Sequence, residues 1–267
     1  MRNILIIYFF VSVMGFILPW GSGFAQEGKT PPAIDISSLK RTGSGRIDQV
    51  IDGTTLVLKD NRVIRLTGLN VPSDDQLDFS AREKLKELMP ENTEVILFQT
   101  RAQTRGRMNR MDQHLAHIVR ASDGVWMNGE MLQLGLARVI PSESNPELMR
   151  EMYQKENIAI REKFGLWGVF PVLSPAQAEQ AIGDFAIVEG VIQKSALIKN
   201  QTYLNFGDDW KTDFTVMITP DIRKKLLRTG INTQTLTGRS VRVRGEVRAY
   251  NGTFLELSTP DSLEIFP

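Results

Sequence analysis

Apolar and polar positions first fall into a clear order at Val50. Val50-Ile51 runs into Asp52-Gly53, Leu56-Val57 follows Thr54-Thr55, and Val63 to Leu66 runs up to Thr67-Gly68 and a loop marked by Pro72. Apolar, largely β-branched runs broken by turn formers predict a strand, a tight turn, a second strand and a third. From Ser80 to Met89 the pattern changes period. Ala81, Leu85 and Leu88 share one face and Arg82, Glu83, Lys84, Lys86 and Glu87 the other, which predicts an amphipathic helix capped by Ser80 and ended by Pro90. Glu94 to Phe98 and Leu115 to Val119 read as strands joined by a long Arg-rich loop. Trp126 to Leu134 reads as a helix closed by Gly135, and Asn145 to Phe164, with Leu148, Met152, Ala159 and Ile160 at helical spacing, as another. Residues 42–169 are therefore expected to form a mainly β (α+β) domain, a five-stranded OB-fold barrel with three helices.

Residues 170–182 form a connector rich in Pro, Ala and Gln, and residues 183–267 begin a second pattern. Strands are predicted over Phe185 to Ile192, Thr202 to Phe206 and Phe214 to Ile218, then a helix over Asp221 to Leu227. A hairpin closes the unit, with Ser240 to Tyr250 and Thr253 to Leu257 turning at Asn251-Gly252, the strongest hairpin signal in the chain. This order predicts a second, smaller OB-like β-barrel.

Composition removes several possibilities. The chain has no cysteine, so disulfides, thiolate nucleophiles and cysteine-based zinc sites are excluded. Thirty-two Lys and Arg against 31 Asp and Glu leave +1, so no overall field draws in a polyanion, and any such binding needs a local patch. Residues 1–25 have the pattern of a signal peptide: Arg2, an apolar run from Ile4 to Leu18, and Gly23-Phe24-Ala25 ahead of Gln26. Cleavage after Ala25 and export to the periplasm or medium are expected, the alternative being an uncleaved anchor. Residues 26–41 read as a turn-rich linker.

The stretch around Asp52-Gly53-Thr54-Thr55 and Arg65-Leu66 to Asn70-Val71-Pro72-Ser73 resembles the start of the staphylococcal nuclease (thermonuclease-like) family, whose signature is Asp-Gly-Asp-Thr and later Arg-Leu ending in Asp-Thr-Pro-Glu. The likeness continues through Leu115-Ala116-His117-Ile118-Val119, Asp123-Gly124-Val125-Trp126-Met127-Asn128, Leu134-Gly135-Leu136-Ala137-Arg138-Val139 and Gly165-Leu166-Trp167-Gly168. Residues 183–267 resemble, more loosely, the C-terminal extensions of some exported bacterial members.

The resemblance implies calcium-dependent phosphodiester hydrolysis by one water-activating carboxylate, two calcium-holding Asp and two Arg. A hard cation and guanidiniums offset the charge that builds when water attacks an anionic phosphodiester. Of that set, Arg65 is kept. The calcium-holding Asp positions fall on Thr54 and Asn70, the general-base Glu on Ser73, and the second Arg on Gln113. Thr and Asn lack carboxylate charge for calcium, and Ser73 is no base near neutral pH without a partner. Groups that act as a unit fail together, so the loss is expected on the order of thousands-fold. The expectation is a non-catalytic binding or scaffolding module without cofactor, monomeric, whose partner is a nucleic acid, another polyanion or an envelope protein. The competing reading keeps hydrolysis, and Ca²⁺ with it, through Arg65 with Asp74 or Asp75 as substitute carboxylates and a displaced Arg; the plainer reading of those two Asp residues is a solvated loop.

Two further groups are candidates for binding. Arg105, Arg107 and Arg110 lie in the densest basic stretch, suited to phosphate contacts or to a solvated loop. Arg242 and Arg244 alternate with Val241 and Val243, and with Tyr203 and Trp210 suggest an aromatic and basic platform for single strands or glycans; the plainer reading is a strand with a charged outer face. His114 and His117, three apart on one strand, are not expected to share a metal.

Overall fold

A computed structural model describes residues 34–209 and 212–266. The expected targeting segment, residues 26–33 of the linker and Trp210 lie outside the described residues. No helix among the described residues is long and apolar enough to cross a membrane.

The chain opens with β1 (Lys40–Asp52), β2 (Thr55–Leu58), β3 (Val63–Leu66) and a short β4 (Leu69–Asn70), followed by α1 (Asp75–Leu88), β5 (Glu94–Gln99), β6 (His114–Arg120), α2 (Met127–Gln133), β7 (Arg138–Val139) and α3 (Met149–Glu162). Five of these strands close a barrel in the order β1-β2-β3-β6-β5. Closure depends on the length of β1. Its first half pairs with β5 and its second with β2, and register shifts after Arg41, Ile47 and Val50 bend it from one partner to the other. Its start at Lys40, with Ile34 and Ile36 packed on the core, makes residues 34–41 part of the domain rather than of a free linker.

Between β1 and β2 the Asp52 carboxylate accepts the Thr54 N–H at 2.7 Å and its hydroxyl at 2.9 Å, an Asx turn. Gly53 is needed for close approach: a Cβ there would meet the Ala81 Cβ of α1 at 2.5 Å. That helix begins at Asp75, earlier than Ser80. Asp74 caps it by accepting the Leu77 N–H at 2.9 Å, and acids in the first turn complement the helix dipole. Buried Asn128 of α2 holds the helix to the barrel, accepting from Ile118 N and donating to Thr67 O, each at 3.0 Å.

A second, seven-stranded sheet follows: β8 (Phe185–Val191), β9 (Lys194–Ile198), β10 (Gln201–Asn205), β11 (Thr215–Ile218), β12 (Ser240–Ala249), β13 (Thr253–Glu256) and β14 (Leu263–Ile265), with α4 (Pro220–Arg228) between β11 and β12. Its path runs β14-β12-β13-β11-β10-β9, and β8 pairs with β12. Residues 34–267 form one compact unit. Leu166, Trp167 and Ala159 pack with Ile187 of β8, bridging the barrel to the second sheet.

A buried ionic knot reinforces that bridge. Arg244 of β12, 0% exposed, donates to Glu156 of α3 at 2.9 Å, to Glu264 of β14 at 2.6 Å and to the Val139 carbonyl at 3.2 Å, with its guanidinium 4.2 Å from the Tyr153 ring centre. Burial alone would push its pKa down, but the Glu156 and Glu264 carboxylates outweigh it and hold Arg244 charged. Tyr153 in turn donates its hydroxyl to the Asp261 carbonyl.

Candidate functional site

Arg65 sits in β3 opposite Thr55 of β2 and Leu115 of β6. Its Nη1 donates to Thr55 Oγ1 at 3.3 Å, and among the described residues no carboxylate stands within ion-pair distance of it. The positions matched to the nuclease set are occupied by contacts of their own. Thr54 is buried and tied to Asp52. Asn70 Oδ1 accepts from Arg138 Nε at 3.1 Å. Gln113 Oε1 accepts from Asn109 Nδ2 at 2.7 Å. Ser73 is exposed and lines a cavity of about 590 Å³ that Arg65 does not reach. Asp74 is engaged as the cap of α1 and exposed Asp75 opens that helix, so neither is the free loop carboxylate of the plainer reading.

Calcium does not fit this donor set. The Thr54 hydroxyl donates to Asp52, and the Asn70 oxygen faces a guanidinium, which repels a second cation. Among the described residues no group of three His, Asp or Glu side chains is spaced to hold a metal ion. His117 is buried, and its Nδ1 accepts the Trp126 indole N–H at 3.3 Å, which requires a neutral ring. Burial takes its pKa from 6.5 down to about 3.

The Arg-rich loop is packed rather than loose. Arg107 folds back on the carbonyls of Thr100, at 3.0 Å, and Arg101, at 3.3 Å. A Cβ on Gly106 would stand 2.1 Å from the Ser144 carbonyl oxygen, which keeps the loop against the 142–147 segment. Arg105 and Arg110 are exposed.

The proposed Arg242 and Arg244 platform requires correction. Arg244 is consumed in the ionic knot, and Arg242, also buried, pairs with Glu189 at 2.7 Å and reaches Asn157. Alternation along β12 placed both on a solvent face, but that face is covered by α3, and Glu264 of the neighbouring strand β14 stands beside them, so the guanidiniums point into an interface. Tyr203 lies elsewhere. It lines a separate groove of about 430 Å³, with Tyr250, Phe254, Ile198, Lys194 and Lys199, and no carboxylate in its wall.

The register explains the groove. Lys194, Asn205, Thr215 and Phe254 are successive partners across β9, β10, β11 and β13, so they form one row on the same face. Their neighbours Leu204, Val216 and Leu255 turn inward to the core. Tyr250, 67% exposed, meets Phe254 edge-on with centres 5.6 Å apart. Sequence alone did not mark β9 as a strand, and so missed Lys194 and Lys199; Tyr250 and Phe254 lay in the predicted hairpin but could not be joined to that row. The usable signal was Lys199-Asn200, which turns with φ of 48° and 70°, a two-residue hairpin with Lys in the position that Asn or Gly usually fills. Arg138, also overlooked as a functional group, lay inside a stretch read only as a fold landmark.

No protein-family model matches this chain, and a search of the curated proteins finds no relative.

Proposed function

We propose that the protein is a divergent, exported member of the thermonuclease-like family in which the hydrolytic site has been dismantled, and that it binds single-stranded nucleic acid through its second sheet. That sheet is read as an OB-like barrel in its own right. β8 and β9, separated only by residues 192–193, act as one bent strand, so the path closes as β8/β9-β10-β11-β13-β12. The first barrel has the same circular order, with α1 where the second has α4, and a parallel pair in each: β3 with β6, β11 with β13.

The observation that carries the binding function is the row from Lys194 to Phe254 beside Tyr203 and Tyr250. Aromatic faces stack bases of any identity, each worth about 1–3 kcal/mol, and cations without a neighbouring acid hold the backbone. The reading against catalysis is supported by Asn70 facing Arg138 and by Arg65 lacking a carboxylate. On this reading Arg65, Arg105 and Arg110 supply only diffuse attraction.

The test is fluorescence anisotropy of a labelled oligothymidylate, beside a duplex of equal length, together with plasmid and single-strand cleavage assays in calcium, magnesium, manganese or EDTA. Expected are salt-dependent binding of the single strand, a loss of about tenfold in affinity for Tyr250→Ala, and no cleavage. Metal-dependent cutting abolished by Arg65→Ala would instead favour hydrolysis through Asp75 or a displaced Asp74.

A further inference from the structure

The cavity of about 590 Å³ beside Ser73 lies between the barrel and the second sheet. Its size is typical of small-molecule sites, roughly 300–1,000 Å³. Phe170, Phe185, Trp167 and Pro72 supply apolar wall, Ser73 and Asp184 are exposed to water, and Arg138 is the one cation in the lining.

Arg138 is unlike the other half-buried and buried arginines at this junction. Arg242 and Arg244 each carry an ion pair, whereas Arg138 meets only neutral acceptors: Asn70 Oδ1 at 3.1 Å and the Phe185 carbonyl at 3.2 Å. Its guanidinium lies 4.4 Å from the Phe185 ring centre. Burial lowers its pKa to about 10, against the pull of Glu156 and Asp184 and with a push from Arg244. A guanidinium drawn out of water without a contacting counter-ion gains more from an entering anion than an exposed or paired one does. A second donor at the same cavity is also unanswered: Trp167, 3% exposed, has an indole N–H with no acceptor among the described residues.

We propose that this cavity binds a small organic anion with a planar apolar body, its single anionic head on Arg138 and its body against Phe170 and Phe185. The anion takes the contacting counter-ion position that the chain leaves open, and the aromatic walls account for the apolar body. Asp184, at the water-exposed rim, disfavours ligands with a second negative group near the mouth. The inference does not rest on nucleic-acid binding by the other sheet, since the two sites share no lining residue.

The experiment is calorimetric titration of the full chain with 2-naphthylacetate, 2-naphthyl phosphate and the neutral 2-naphthylacetamide. At least one anion is expected to bind about tenfold or more tightly than the amide, and the tighter of the two names the head group. Arg138→Gln, which keeps a donor toward Asn70, should abolish that preference. Because Arg138 also contacts both sides of the junction, Ser73→Glu provides an independent variant: it adds a carboxylate at an exposed position in the cavity wall, and should weaken the anions while leaving the amide unchanged. Equal binding of acid and amide, no binding of any of the three up to about 5 mM, or a preference unaltered in folded Arg138→Gln and Ser73→Glu protein would overturn the assignment.

Discussion

Asn70 of β4, beside the first barrel, and Asn205 of β10, in the second sheet, are both strand residues, yet they meet different company. Asn70 faces Arg138, which fastens β4 and β7 together and reaches across to Phe185. Asn205 accepts from Thr215 at 3.2 Å and stands in a row that ends in Lys194 on one side and Phe254 on the other, with Tyr250 above it largely in water. Around the barrel, Thr54, Asn70 and Gln113 are each answered by a partner within the protein. In the groove of the second sheet, Lys194 and Lys199 stand without a carboxylate among the lining residues. Polar residue types alone do not separate a working surface from a structural contact; whether each donor and acceptor already has a partner does.

The contrast is most exposed to failure where the two regions meet. Arg244→Met should destabilise the protein by about 3–5 kcal/mol, because it leaves Glu156 buried without its partner. The pair variant Arg244→Met with Glu156→Leu should recover most of that loss, as measured by urea denaturation. A small effect of the single change would mean that the ionic knot is not what holds the regions together.

The barrel core should respond to acid through His117. Its folded-state pKa lies below the unfolded value, so its contribution is fully present above about pH 6.5 and is lost as pH falls toward 3, at about 1.4 kcal/mol per pH unit. Between pH 7 and 5, His117→Gln, which keeps an acceptor for Trp126, should lose about 2 kcal/mol less than the parent. Identical pH profiles would show that the fold leaves the pKa of His117 at its unfolded value.

The smallest effect distinguishes a cap from a catalyst. Asp74→Ala should cost about 1 kcal/mol, read as a shift in thermal midpoint, with no change in any nucleic-acid assay. A change in cleavage at unchanged stability would return Asp74 to the chemistry.

Most strands of the barrel were legible from alternation, and the β12–β13 hairpin from Asn251-Gly252, whose positive φ angles require those residue types. The start of α1 was not, because Asp74 and Asp75 look like loop residues unless the cap is recognised. The burial of Arg244 was not legible either. Period-two alternation separates the faces of a strand but does not say whether a helix from another part of the chain will cover the polar one, and the carboxylates that make it tolerable come from positions 156 and 264. The departures from the family signature that the chain resembles could be read letter by letter; that Asn70 faces Arg138 required the three-dimensional pairing.

The dependence of Arg244 on Glu264 also bears on biosynthesis. One carboxylate of the knot belongs to β14, the last strand described, so a nascent chain in which everything up to β13 has formed holds a buried guanidinium with half of its counter-charge. Such an intermediate is less stable than the finished protein and opens more often at α3. A chain shortened before Leu263 should therefore be more readily cleaved by added protease than the full chain, with α3 the segment that opens.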